Sequence, residues 1–222
     1  MPIMVRFFLI LKEEITEFIT IMREDKFLTA EITNILSSFL HRNISIQHFE
    51  PVYDGDINTC YHLTASEGDF FLKTNTQTVH PSLFEKEFHG LKALHNAHCI
   101  QVPEPLLHGK SDSTYFLITT FIQKGIPVPN FWQDFAVGLA NMHQCTNNSF
   151  GWKEDNFIGL LPQSNKRYID WSEFYIHERL APLVQMAYDK KLINQKNITQ
   201  ADNLYKQLGN LLPGEKPSLL HG

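Results

Sequence analysis

The sequence predicts an α+β fold: a small antiparallel β lobe at residues 29–124 and a helical part at 125–222, preceded by a helical extension at 1–28. Three observations carry this. Tyr53 to Lys73 (YDGDINTCYHLTASEGDFFLK) reads as a β-hairpin. Asp54-Gly55-Asp56 is a turn, Ile57 to Leu63 an alternating strand, Ser66 to Asp69 a second turn and Phe70 to Leu72 a second strand. Thr114 to Ile122 (TYFLITTFI) is an almost unbroken apolar, β-branched and aromatic run, as a buried strand requires. Lys124 to Pro129 (KGIPVP) then interrupts the chain, and the patterns beyond it are helical.

The extension begins with an apolar stretch, Met1 to Leu11. It has a single early Arg and no small-residue cleavage site, runs straight into Lys12-Glu13-Glu14, and is too short to span a bilayer. Phe7, Leu11, Ile15, Phe18 and Met22 instead fall on one face of a helix, and Met22 is a candidate second start, which would make residues 1–21 dispensable. Thr29 to Leu40 follows as an amphipathic helix, with Thr29 as N-cap and Ile32, Ile35, Leu36 and Phe39 on its inner side. Asn43 to Pro51 leads extended into the hairpin.

After the hairpin, Pro81 to Asn96 is a helix whose buried face is Leu83 or Phe84, Phe88, Leu91 and Leu94, with Pro81 in its first turn. Val102 to Gly109 passes extended into a strand and turn. Beyond the break, Phe131 to Gln144 is a helix with Phe131, Phe135, Leu139 and Met142 inward. Gly151 to Asn165 is a polar and aromatic loop. Tyr168 to Ala187 is a long helical pattern that Pro182 can kink, with Trp171, Phe174, Leu180, Leu183 and Ala187 as core candidates. Ile198 to Leu212 is a last helix, stopped by Pro213-Gly214.

A net charge of -5 and a pI near 6.1 give no electrostatic basis for binding nucleic acid or an anionic membrane. Cys60, Cys99 and Cys145 are odd in number and widely spaced, which predicts reduced thiols in a cytoplasmic setting rather than a disulfide framework.

The chemistry concentrates on the hairpin. Gly55 lets backbone approach an anion, and Lys73, on the strand that follows, is placed to reach the same anion. Glu87 comes fourteen residues later on the next helix, where it can hold the Lys73 ammonium in place; Glu85 competes for that role. A turn over phosphates, a strand lysine and a helix glutamate are parts of the kinase layout. Taken alone, a plain hairpin accounts for one glycine, and most helix glutamates only cover a solvated face. The break at Lys124 to Pro129 stands where that layout has its hinge, whose backbone pairs with adenine.

Other polar residues are read as structural. His95, His98 and Cys99 have helical spacing for a metal, but they sit at a helix end without a second ligand pair, and no metal site is predicted. His143 caps or packs a helix, Trp152 and Trp171 pack in the core, and Asp155 and Asn156 hydrogen-bond their own loop.

Phe150 to Asn165 (FGWKEDNFIGLLPQSN) resembles the FGW-x-x-DNFIG-x-x-PQ-x-N segment of the fructosamine (ketosamine) kinase family, and DW-x-EFY-x-x-ERL-x-P at Asp170 to Pro182 is similar to the family's next block. GDIN at Gly55 to Asn58, FFLK at Phe70 to Lys73, FEKE at Phe84 to Glu87, LANMH at Leu139 to His143 and PSLLHG at Pro217 to Gly222 match family segments in the same order. The resemblance covers Thr29 to Gly222. It implies a protein-kinase-like, aminoglycoside-phosphotransferase-like two-lobe fold, with the helical lobe incomplete here.

By the same resemblance the activity is ATP- and Mg²⁺-dependent phosphorylation of a sugar hydroxyl on ketosamines, either small molecules or glycated proteins, which makes the adducts decompose. Lys73 would bind the ATP phosphates and Glu87 would pair with it. Gly55, Asp56, Ile57 and Asn58 would cover the nucleotide, and Phe121 and Ile122 would lie at the adenine hinge, where Thr120 replaces an acidic residue common in relatives. Asp56 stands where some relatives carry a redox-active cysteine, so no such switch is expected, although Cys60 is close by. His221 would brace a loop. In the family the His-Gly of this last segment is followed by the catalytic Asp, then an Asn, then a metal-binding Asp. No catalytic residue or metal ligand is therefore expected within these 222 residues, and the chain alone is expected to be inactive. The competing readings are a non-catalytic nucleotide-binding pseudokinase or scaffold, and a kinase of another hydroxyl compound such as an aminoglycoside, which the DNFIG block disfavours. Exposed apolar helix faces, and with them self-association, are also expected.

Overall fold

The computed structural model describes residues 28–53, 57–76 and 80–219. The expected extension helix before residue 28, the turn at 54–56 and His221 lie outside the described residues. In chain order the elements are α1 (residues 28–40), β1 (Ile46–Val52), β2 (Thr59–Ala65), β3 (Gly68–Asn75), α2 (Leu83–Ala97), β4 (Pro105–Ser111), β5 (Thr114–Thr120), α3 (Phe131–His143), β6 (Asn156–Ile158), β7 (Leu161–Gln163), α4 (Trp171–Tyr175), a π-helical turn (Ile176–Leu180), α5 (Ala181–Asp189) and α6 (Gln195–Leu211). One sheet has the strand order β1-β2-β3-β5-β4, and β6 and β7 form a separate two-stranded sheet. The chain divides into two compact units, Met1–Gly55 with Thr59–Leu72 and Asp56–Asn58 with Lys73–Gly222.

The first unit holds α1, β1, β2 and most of β3. Ile32 and Leu36, one turn apart, are fully buried, but Phe39 is exposed, so the inner stripe of α1 is narrower than expected. Thr29 lies inside the helix, where its carbonyl accepts from Thr33 Oγ1 at 2.7 Å, and so is not an N-cap. β1 pairs antiparallel with β2 from Ile46↔Ala65 to Val52↔Cys60. The extended lead-in is therefore a full strand. Leu63 and Ala65 of β2 and Phe70 and Leu72 of β3 are buried, the period of two that a half-covered sheet demands, while Cys60, buried three residues before Leu63, falls out of that step. A two-residue turn at Ser66-Glu67 joins these strands, and Gly68 follows it with φ 122°, a value other residues rarely adopt.

The main stretch of the second unit starts at Lys73. β3 runs three residues beyond Leu72 because Thr74, also buried, continues the alternation. Pro81 stands before α2, not in its first turn, and Phe84 is its buried residue. β4 and β5 pair antiparallel from Pro105↔Thr119 to Ser111↔Thr114. Phe116 to Thr119 are all buried, as the unbroken apolar run requires. Gly109 lies under the Phe116 ring, where a Cβ would stand 2.9 Å from Cζ.

α3 departs from expectation. Its buried residues, Gly138 and Met142, lie toward its C-terminal end, while Phe131, Trp132 and Phe135 are exposed and touch one another, with ring centroids 5.0–6.5 Å apart. An apolar stripe on a helix marks a face to be covered; it does not say what covers it. Leu183 is likewise exposed. The polar loop at Gly151 to Asn165 contains the β6–β7 hairpin. α6 starts three residues earlier than expected because Asn194 and Asn197 form a reciprocal capping box.

Candidate functional site

The strand period places the first functional side chain. Phe70, Leu72 and Thr74 are buried, so Lys73 and Asn75 share the opposite face of β3. Lys73 Nζ donates to Glu87 Oε1 at 2.5 Å, and both side chains are under a third exposed. Of the two candidate glutamates it is Glu87 that meets Lys73. Glu85 lies where its charge acts on Lys86 and His108. His108 titrates below its ordinary value because burial, aided by His89, outweighs the pull of Glu85.

Asn75 was not anticipated as a site residue. Its Nδ2 donates to Ile57 O at 3.2 Å and to Asn58 Oδ1 at 2.9 Å, so the residue two past Lys73 ties down the segment that follows the glycine turn. The available signal was its position two residues after the lysine, on the same strand face. Ile57 Cδ1 lies 3.8 Å from where a Cβ would stand on Gly159, at the tip of the β6–β7 hairpin. Gly55 and Asp56 are outside the described residues. Phe121 and Ile122 follow β5 in irregular backbone, and Ile122 is exposed. Thr120 is held through backbone and side chain: its N–H donates to Glu104 O and its Oγ1 accepts from Glu104 N, each at 2.9 Å.

Glu154, also missed, joins α2 to the loop before β6. It accepts from Lys86 Nζ at 2.5 Å and pairs with His89 Nδ1 at 2.8 Å. Burial works to raise its carboxyl, but the hydrogen bonds from Lys86 and His89 outweigh that and hold it below the ordinary value. Asp155 and Asn156 do bond their own loop. Asp155 Oδ1 accepts from Asn165 N, and Asn156 Oδ1 accepts from Asn165 Nδ2 and Gln163 Nε2, each at 2.9 Å.

Asn165, almost fully buried, is the hub of that loop, and Arg179 seals it. Arg179 donates to Asn165 Oδ1 at 2.5 Å, Ser164 O at 2.7 Å and Glu178 O at 2.8 Å, over the Phe174 ring. Glu178 stands in the π-helical turn, where Ala181 N donates five residues back to Ile176 O; Pro182 brings no N–H to this stretch, and the guanidinium supplies a donor to the Glu178 carbonyl. Gly151, with φ 98°, lies so close to the Lys166 and Asn165 carbonyls that a Cβ would stand 2.7 Å from Asn165 O. His95 and His98 have ring centroids 5.8 Å apart, and among the described residues no group of three His, Cys, Asp or Glu could hold a metal.

Among solved structures, the chain is similar to a Thermobifida fusca protein described as a "putative fructosamine-3-kinase" (TM-score 0.75, 23% identity, 86% of this chain and 66% of that one). It is also similar to one so described from Haemophilus somnus (TM-score 0.72, 24% identity, 84% and 63%). A more distant likeness is to an aminoglycoside phosphotransferase in ternary complex with AMP-PNP and hygromycin B (TM-score 0.52, 14% identity, 82% and 61%). These likenesses show the fold: α+β and protein-kinase-like. Among curated relatives, a "probable ketoamine kinase" of Vibrio cholerae is 32% identical over 190 residues, 84% of this chain and 65% of that protein. A chloroplastic protein-ribulosamine 3-kinase of Arabidopsis thaliana is 35% identical, over 76% of this chain and 52% of that protein. The chain thus spans between about half and two thirds of the length of these relatives. The family model for fructosamine kinase matches residues 28–222, from α1 through the Lys73–Glu87 pair and the Asn165 hub to the last residue, and the chain belongs to that family.

Proposed function

We propose that these residues form the ATP-binding part of a kinase that phosphorylates a sugar hydroxyl of ketosamines, small or protein-bound, and so promotes deglycation. The Lys73–Glu87 pair carries the reading. An ammonium has three N–H donors, so a carboxylate that fixes its position leaves it able to contact phosphate oxygens. ATP would supply the phosphoryl group, with Lys73 on its phosphates. Gly55, Asp56, Ile57 and Asn58 would lie over them, with Asn75 steadying the last two. Phe121 and Ile122 would offer backbone to adenine. Mg²⁺ would accompany the ATP, but the described residues hold no metal cluster, and no ligand or catalytic base is assigned among them.

The substrate class follows the names of the relatives, ketoamine and ribulosamine kinases. A cytoplasmic location is part of the proposal. No described helix is long and apolar enough to cross a membrane.

Calorimetric titration of the 222-residue chain with ATP and Mg²⁺ tests the reading. Saturable binding that weakens about tenfold or more in Lys73→Met, with the fold intact by circular dichroism, is the expected result. Equal affinity in the variant would remove Lys73 from the site. Phosphate transfer to a fructosamine, measured alongside, separates a kinase from a protein that only binds nucleotide.

A further inference from the structure

Two of the three cysteines, distant in sequence, meet in the second unit. Cys99 follows α2 and Cys145 follows α3, and their sulfurs are 3.9 Å apart. Glycine permits this approach. At Gly138 on α3 an added Cβ would stand 2.7 Å from Cys99 O and 3.0 Å from Ile100 Cγ1, so any side chain there would push against the backbone of the Cys99 loop. The left-handed turn at His98, φ 52°, directs the chain into that contact.

Cys145 sits on backbone bonded on both sides, its N–H donating to Met142 O at 3.0 Å. Cys145 O accepts from Leu219 N at 2.9 Å, and Asn147 N donates to Pro217 O at 3.0 Å, flanking an antiparallel bridge between Thr146 and Ser218. Cys99 Sγ lies 3.1 Å from Ala97 O, and neither sulfur belongs to a metal cluster among the described residues. Both residues are half-buried, so a small reagent can reach them, whereas Cys60 is buried in β2.

We propose that Cys99 and Cys145 are a thiol pair that closes to an intramolecular disulfide by exchange with a low-molecular-weight disulfide such as oxidised glutathione. Burial, and then its contact with Cys145, push the Cys99 thiol up, which makes it the poorer first nucleophile. The Cys145 thiolate therefore attacks one glutathione sulfur, breaking that S–S bond and releasing one glutathione thiolate. The Cys99 thiolate then attacks Cys145 Sγ in the mixed disulfide and releases the second. Two protein thiols are oxidised, one glutathione disulfide is reduced to two glutathiones, and the two protons leave with them. Closure ties the end of α2 to the end of α3, across 46 positions of chain. It does not depend on the nucleotide reading.

The test is to incubate the folded, reduced chain with oxidised glutathione and read intact mass and peptides without reductant. The expected product has lost two hydrogens, contains a Cys99–Cys145 linked peptide and leaves Cys60 free. Cys99→Ser should instead stop at a single glutathione adduct on Cys145. The closed form should melt on the order of 10 °C higher, the gain lost on reduction. Stable glutathione adducts on both cysteines of the unsubstituted chain, links through Cys60, or dimers as the main product would overturn the proposal. So would closure undiminished in Gly138→Ala; if that variant fails to fold, the mass and peptide results on the unsubstituted chain and Cys99→Ser decide.

Discussion

Replacing Arg179 by Met keeps most of the side-chain volume over Phe174 and removes the fork. Three acceptors then lose a donor: the Asn165 amide oxygen and the carbonyls of Ser164 and Glu178. Asn165 is 4% exposed, so its oxygen bears nearly the full penalty of an unsatisfied buried group, about 1–3 kcal/mol. Of the two carbonyls, that of half-buried Ser164 adds roughly 0.5–1 kcal/mol and that of Glu178, a buried residue, about 1 kcal/mol. Lost attraction to the Phe174 ring is largely offset by the thioether. The loss is therefore expected at about 3 kcal/mol, which urea denaturation followed by tryptophan fluorescence can read, because Trp152 and Trp171 flank the network. Lys, which restores charge but not three diverging donors, should recover less than half. A change below about 0.5 kcal/mol in Arg179→Met, or full rescue by Lys, would show that the fork does not seal the loop.

Two further outcomes follow from the same unit. Glu154 has a carboxyl held below its ordinary value, so its contribution to stability is complete above the usual carboxylate range and is lost as the pH falls through the lowered value. Glu154→Gln should flatten that acid limb in thermal melts collected at falling pH, and an unchanged limb would remove the carboxylate from the account. Asn194 accepts from the N–H groups of Lys196 and Asn197 at the start of α6, so Asn194→Ala should lower stability by about 1 kcal/mol, measured by urea titration.

What the sequence could show depended on how far a residue's partners lay. The alternation that buries Phe70 and Leu72 is local and set β3, although Thr74 carries it further than the apolar run suggested. The spacing from Lys73 to Glu87 was readable because one strand and the next helix fix it. Glu154 was not, because its partners Lys86 and His89 lie on another element some 65 positions away. Arg179 was hidden for the same reason: its acceptors Ser164 O and Asn165 Oδ1 lie on a loop 15 and 14 positions back that folds onto it. On α3 the apolar stripe was correctly a stripe, but Phe131 and Phe135 meet only each other and Trp132 among the described aromatic contacts, because periodicity reports a face and not its neighbour. The two cysteines are the plainest case, since proximity made by a glycine contact leaves no periodic trace.

Lys86 and Glu87 are consecutive, so they leave α2 about 100° apart around its axis. One is bound to Glu154 and the other to Lys73. A single ion pair holds a helix at a point and lets it roll, but two pairs at that angle act as perpendicular stays. Turning α2 by even one residue would carry both side chains off their partners at once. Its rotational setting is thus fixed by two charges of opposite sign, and the carboxylate facing β3 is aimed before anything else arrives.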